Sequence, residues 1–297
     1  MSRLGGARYS ILAEGVGFPE GLAWSPDEEC VFVTGAADGC FYRVRPGDPR
    51  LDLVAAIGGG LNNCVLAAGG GCVVAQNGGL SGRGIMADRY PQMRPPPEPT
   101  SATPGLILIG AAGEAEVVLG AGVNAPNDLA VGFDGALYFT DPGDRFLPDP
   151  PSPRLMRYDA AGLSVFAEGF GYCNGIAFDR DSILVTDRVG LLRLLADGSR
   201  EWVVEDAMDK TPDGIAVDED GRIYVAGGHD GCVFVVEDGE IVDSLVTPGG
   251  PSRITNCCFG GPDMTSLFVA DPVSWAVGEW RDMPCPGRRL PAWAGTR

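Results

Sequence analysis

The phrase from Ala13 to Trp24 returns 154 positions later, between Ala167 and Phe178, and this recurrence limits the fold more than any other feature of the chain. Both copies begin Ala-Glu-Gly and end in an oxygen-bearing side chain, a glycine and an apolar-Ala-aromatic run: Glu20-Gly21-Leu22-Ala23-Trp24 and Asn174-Gly175-Ile176-Ala177-Phe178. The heart of the phrase is an oxygen-bearing anchor, a short residue and an apolar strand. It recurs as Asn127-Asp128-Leu129-Ala130-Val131 and Asp213-Gly214-Ile215-Ala216-Val217, and more loosely as Asn256-Cys257-Cys258-Phe259 and Asn63-Cys64-Val65-Leu66. Shortly after each anchor comes a second β-rich run, ending respectively at Thr34, Ala75, Thr140, Thr186, Ala226 and Ala270.

Most of the linkers between these paired runs carry Asp-Gly or Pro-Asp turns, such as Asp134-Gly135 and Pro262-Asp263. β-branched and aromatic runs joined by such turns are hairpins. The anchors at 20, 63, 127, 174, 213 and 256 are spaced by 43, 64, 47, 39 and 43 residues. Periods of about 40 to 50 residues with several strands each mark propeller blades. The expectation is an all-β six-bladed β-propeller, one domain over residues 1–297. Residues 9–14 read as a strand that closes the ring by joining the last blade. The long second gap holds an insertion at about 77–104, with Met86, Tyr90, Met93 and a proline run, expected to form a lid over the pocket. The tryptophan-bearing stretch from Pro272 is expected to finish the last blade and pack over its outside.

A net charge of −18 argues against nucleic acid and anionic membrane partners, which call for basic surface. Nine cysteines, odd in number and without CxxC pairs, fall in or beside apolar strand positions and read as small buried hydrophobes. With no apolar leader before Glu14 and no long apolar run, a reduced, cytoplasmic, soluble protein is expected, monomeric or weakly self-associating.

The chemistry is narrowed by what is missing. There is a single histidine, His229, beside Gly227-Gly228, and no HExxH, GxSxG or P-loop motif. Asp218-Glu219-Asp220-Gly221 imitates part of a calcium loop but lacks the ligands beyond it, and reads as a hairpin turn. The anchors remain. Every inner strand of a propeller starts at the same end of the tunnel, so Glu20, Asn127, Asn174 and Asp213 converge there as a ring of oxygen donors suited to a hard dication. The competing explanation is that Asn and Asp precede strands because they make turns and cap backbone groups. Glu20 does not fit that explanation.

At these residues the chain resembles the senescence-marker-protein/gluconolactonase family, which includes regucalcin and sugar-acid lactonases. The matching phrases are Pro19-Glu20-Gly21-Leu22-Ala23-Trp24, Pro126-Asn127-Asp128, Asn174-Gly175-Ile176-Ala177, Pro212-Asp213-Gly214-Ile215-Ala216-Val217-Asp218 and Thr255-Asn256-Cys257-Cys258-Phe259-Gly260-Gly261. The resemblance implies one divalent ion on Glu20, Asn174 and Asp213, with Asp213 doubling as general base and Asn127 near metal and substrate. Calcium is the first choice of ion, with zinc, magnesium, manganese or iron(II) as the others.

A metal-dependent lactonase acting on a small-molecule ester follows from that resemblance. A phosphotriesterase, a non-hydrolytic enzyme of secondary metabolism on the same metal, and a non-enzymatic cation-binding or scaffold propeller stay open. Sugar-acid lactonases of the family often carry Arg where this chain has Ala125. A methyl group donates nothing to substrate hydroxyls, and Phe18, Tyr172 and Tyr90 are the other substrate-facing candidates. A more hydrophobic lactone than gluconolactone is therefore expected, unless Arg83, Arg89 or Arg94 of the insertion supplies the missing donor.

Overall fold

The computed structural model describes residues 4, 6–79, 101–144, 147–208, 212–248 and 253–296. Most of the expected lid at 77–104 lies outside the described residues, and with it Tyr90, Met86, Met93, Arg83, Arg89 and Arg94.

The chain runs through β1 (Arg8–Glu14) and then builds its blades in order. Blade 1 holds β2 (Pro19–Ser25), β3 (Cys30–Gly35), β4 (Cys40–Arg45) and β5 (Asp48–Ala56). Blade 2 holds β6 (Leu61–Leu66), β7 (Cys72–Gln76), β8 (Gly105–Ile109) and β9 (Ala115–Leu119). Blade 3 holds β10 (Leu129–Val131), β11 (Leu137–Asp141), β12 (Arg154–Asp159) and β13 (Gly162–Glu168). Blade 4 holds β14 (Cys173–Asp179), β15 (Ser182–Asp187), β16 (Gly190–Leu194) and β17 (Arg200–Val204). Blade 5 holds β18 (Ile215–Val217), β19 (Ile223–Ala226), β20 (Cys232–Glu237) and β21 (Glu240–Val246). Blade 6 holds β22 (Asn256–Gly260), β23 (Ser266–Asp271) and β24 (Ala276–Arg281), and β1 completes it.

The protein is thus an all-β six-bladed propeller, with no helix among the described residues long and apolar enough to cross a membrane. Blade 6 pairs β24 with β1 in an antiparallel ladder from Arg8↔Arg281 to Glu14↔Ala276, the ring closure expected from residues 9–14. It joins the first described strand to the last by backbone hydrogen bonds.

Within each blade the second strand is continuous and apolar because it is covered on both faces: β3, β7, β11, β15 and β19 are buried throughout. The resulting cores lie between neighbouring blades. Between blades 1 and 2, for example, Phe32 and Phe41 stack at 5.2 Å and pack with Cys30, Cys64, Cys72 and Val74. The cysteines are free thiols, eight buried and Cys40 half-buried, so their use here is as small apolar side chains.

The inner strands β2, β6, β10, β14, β18 and β22 touch one another around the tunnel and all run from the same end. The C-terminal stretch departs from expectation. After β24 it leaves blade 6 and crosses the opposite end of the tunnel, rather than staying on the blade's outside. Arg288 N–H donates to Val217 O at 3.0 Å, the Arg288 side chain reaches Asp179 at 2.6 Å, and Trp293 exchanges backbone bonds with Leu66 and Ala68 at 2.8 and 2.9 Å. These partners sit at or just beyond the ends of inner strands, where unpaired carbonyls need donors and the tail supplies them.

Candidate active site

Cross-strand register fixes which residues share the tunnel mouth. Leu22 pairs with Val33, Cys64 with Val74, Leu129 with Phe139, Ile176 with Val185, Ile215 with Val225 and Cys257 with Val269. Two residues before each pair lies the true anchor ring: Glu20, Asn62, Asn127, Asn174, Asp213 and Thr255. Asn63 and Asn256, expected as anchors, fall one residue later, in the slot of Gly21, Asp128, Gly175 and Gly214. Asn62-Asn63 and Thr255-Asn256 each offer two oxygen-bearing residues in a row, and only the ladder chooses between them.

The second slot has its own physical logic. Asn63, Asp128 and Asn256 each turn a side-chain oxygen back onto the next backbone N–H, of Cys64, Leu129 and Cys257, at 2.6, 3.0 and 2.8 Å. Those residues are backbone caps. Where the slot holds glycine, the next blade presses on it: a Cβ on Gly175 would lie 2.1 Å from Asp213 O, and one on Gly21 2.7 Å from Asn62 O. Glu20 and Asn174 themselves sit in bulges, between Pro19 and Leu22 and between Cys173 and Ile176. A bulge re-aims a side chain that a regular strand would bury in the sheet.

Glu20, Asn174 and Asp213 are all buried. The Asn174 amide donates from Nδ2 to Pro212 O at 3.3 Å, tying it to the residue before Asp213, while its Oδ1 is buried without a hydrogen-bond partner. Burial, and then the negative charge of Asp213, hold the Glu20 carboxyl well above the usual carboxylate range; Arg253 pulls it back, Asp128 adds to the rise, and the nearby Thr255 hydroxyl lowers it. Burial likewise pushes Asp128 well up, against the N–H bonds it accepts from Ile176 and Leu129 and with Asp213 adding to the rise.

Arg253 and Asp128 join this group without having been singled out from sequence. The Arg253 guanidinium lies 3.9 Å from Asp213 Oδ2 and 5.4 Å from the centre of the Phe18 ring. In sequence it lies two residues before Thr255, which the repeat pattern passed over in favour of Asn256. Asp128 donates no ligand geometry of its own, since Oδ1 and Oδ2 are taken by the Leu129 and Ile176 N–H groups at 3.0 and 2.9 Å.

Phe18, Ala125 and Tyr172 occupy matching places two residues before their anchors. Their loops are pinned by carboxylates on or just past the second strands: Asp38 accepts Gly17 N–H at 2.8 Å, Asp141 accepts Ala125 N–H at 2.7 Å, and Asp187 accepts Tyr172 N–H at 2.6 Å. Phe18 is fully buried at φ 57°, its ring facing Arg253, and Tyr172 is half-buried. Asn127 is half-buried, its backbone paired with Thr140 O and Asn63 N–H at 2.9 and 3.1 Å. Ala125 is buried, and Arg253 brings to the mouth the guanidinium that position 125 lacks.

The chain is similar to known proteins. Residues 62–271 match the model of the SMP-30/gluconolactonase/LRE-like region. The chain belongs to that family. A pentonolactonase of Haloferax volcanii is 27% identical over 266 residues, covering 84% of this chain and 80% of that protein. A gluconolactonase of Zymomonas mobilis is 29% identical over 175 residues, covering 50% of this chain and 48% of that protein. The crystal structure of a calcium-binding protein, regucalcin, from Agrobacterium tumefaciens superposes with a TM-score of 0.76 at 17% identity, covering 97% of each chain. That last likeness is one of fold.

The donor set fits a hard cation. Among the described residues no three His, Cys, Asp or Glu side chains gather as a metal-holding group, so a cation held here would need the Asn174 amide beside the carboxylates. An unpartnered buried amide oxygen on Asn174, beside two buried carboxylates that repel each other, is what a bound dication neutralises.

Proposed function

We propose that the chain is a divalent-cation-dependent lactonase, working as one propeller domain on a small-molecule ester. The observation that carries this is the orphaned Asn174 Oδ1 beside Glu20 and Asp213 in a family member. The lactonase names of its relatives point to the bond that is opened.

Glu20, Asn174 and Asp213 would hold the cation, calcium first. When bound, such an ion polarises the ester carbonyl and stabilises the oxyanion that forms from it. Asp213 orients a water for attack on the carbonyl carbon and takes its proton as the new C–O bond forms. The ring C–O bond then breaks, and the ring oxygen takes up the proton, leaving a hydroxy acid. Arg253, 3.9 Å from Asp213, pairs with that carboxylate and offers N–H donors to substrate oxygens. Phe18 backs the guanidinium with its ring face, while Asn127 and Tyr172 line the approach. With Arg253 in place the mouth has a donor fork for a hydroxylated lactone, and the apolar preference drawn from Ala125 gives way to a polar one.

A panel of sugar lactones, alkyl lactones and aryl phosphotriesters, each with and without chelator, tests the reading. Chelator-sensitive turnover of a sugar lactone is expected. Arg253→Met is expected to lower kcat/KM for it by about 10- to 100-fold, the loss of one charge-assisted hydrogen bond worth about 1.5–3 kcal/mol. Turnover confined to phosphotriesters, or indifferent to chelator, overturns the proposal.

A further inference from the structure

Five of the six seams between inner strands are closed in one of two ways. Between blades 2 and 3 the Asn63 N–H donates directly to Asn127 O at 3.1 Å, and between blades 5 and 6 the Gly214 N–H donates directly to Thr255 O at 2.9 Å. In these blades the second strand carries Ala75 and Ala226 at the facing position. At three other seams that position holds threonine, and its hydroxyl stands between the same two groups. Thr34 Oγ1 accepts the Gly21 N–H at 2.7 Å and donates to Asn62 O. Thr140 Oγ1 accepts the Asp128 N–H at 3.0 Å and donates to Asn174 O at 2.6 Å. Thr186 Oγ1 accepts the Gly175 N–H at 2.7 Å and donates to Asp213 O at 3.1 Å. All three threonines are fully buried.

We propose that Thr140 and Thr186 are positioning residues of the cation site, acting through the backbone of Asn174 and Asp213. Each hydroxyl is a bridge. It replaces one direct N–H to carbonyl bond by two legs, so that a side chain of one blade holds the carbonyl of the next blade's anchor. Because the anchor's carbonyl is gripped, its Cα is fixed, and with it the place of the side chain that faces the tunnel. Asn174 and Asp213 are two of the three residues assigned to the cation, and the third is served in a related way: the Thr255 hydroxyl donates to Pro19 O, next to Glu20, at 2.8 Å. Thr34 makes the same kind of bridge to Asn62, which is outside the ligand set, and so is the matched control.

The inference rests on the cation reading, and the test separates them. Calcium affinity is measured by titration calorimetry on the full chain for the wild type, Thr34→Ala, Thr140→Ala, Thr186→Ala, Thr140→Ser and Thr186→Ser, each with its melting temperature. Alanine lets the seam adopt the direct bond seen at Ala75 and Ala226, so these variants are expected to fold. Thr140→Ala and Thr186→Ala are expected to weaken calcium binding at least tenfold. Thr34→Ala should leave it within about twofold, and serine, which restores the hydroxyl without the methyl, should bring it back within about threefold. If the wild type binds calcium and all three alanine variants bind it equally well, the inference fails alone. It also fails if serine does not rescue. If the wild type binds no divalent cation, the reading beneath it fails first.

Discussion

Gly175→Ala is the sharpest test of how tightly the blades meet at the site. A methyl group there would lie 2.1 Å from Asp213 O, 2.8 Å from Asp213 C and 3.0 Å from Gly214 Cα, all backbone atoms of the next blade. Carbon and carbonyl oxygen rest at about 3.3 Å, so blade 5 must retreat by roughly 1 Å at this seam. Gly175 has no left-handed φ, so alanine adds no backbone strain and the collision acts by itself. Overpacking of this kind costs about 1–3 kcal/mol, against a gain of up to about 1 kcal/mol from a stiffer unfolded chain. At roughly 2–4 °C per kcal/mol for a chain approaching this size, Tm should fall by up to about 10 °C. Asp213 moves with its backbone, so calcium affinity should fall at least tenfold, or about 1.4 kcal/mol. The assays are thermal melts and calorimetric titration, with Gly6→Ala, where a methyl meets nothing within 4 Å, as the neutral control. A Gly175→Ala protein that melts within about 1 °C of wild type and binds calcium unchanged would refute the close seam.

Glu20→Gln should have opposite effects with and without metal. In the metal-free protein it removes a buried carboxyl whose ionised form is disfavoured by burial and by Asp213, and should raise Tm. In calcium at a hundred times Kd, where binding stabilises the wild type by about 2.7 kcal/mol, the variant should gain almost nothing; equal calcium-induced shifts in both proteins would contradict the site. Asp179→Asn tests the tail. Burial draws the Asp179 carboxyl up, but hydrogen bonds from Arg288 and Arg193 outweigh it and leave the group below its ordinary 3.8. Its stabilising effect is therefore present above about pH 3.8 and lost as pH falls through the lower folded value. The variant should melt lower than wild type at pH 7, by the worth of about 1.5–3 kcal/mol, and the gap should close as pH falls below 3.8; a gap that widens in acid would show that the pairs do not hold the tail.

What the sequence determined by itself was whatever repeats. An inner strand must be short, apolar and preceded by a chain reversal in every blade, so Glu20, Asn127, Asn174 and Asp213 stood out by spacing alone, and residues 9–14 were left over to close the ring. The register within the repeat was decided only by the ladder, since Asn62-Asn63 and Thr255-Asn256 look alike to a pattern while a shift of one residue exchanges tunnel for cap. Arg253 became part of the mouth because blade 6 meets blade 1 there, an adjacency of residues 235 positions apart in the case of Phe18 and Arg253. The path of the tail was equally invisible, because Arg288 finds Asp179 only across the far end of the tunnel. The threonines lay in plain view at one place in three of the six second strands, yet their meaning depends on which carbonyl lies across the seam. Local pattern specifies a strand and its faces; which backbone group fills the space beyond a buried hydroxyl is settled by the closing of the ring.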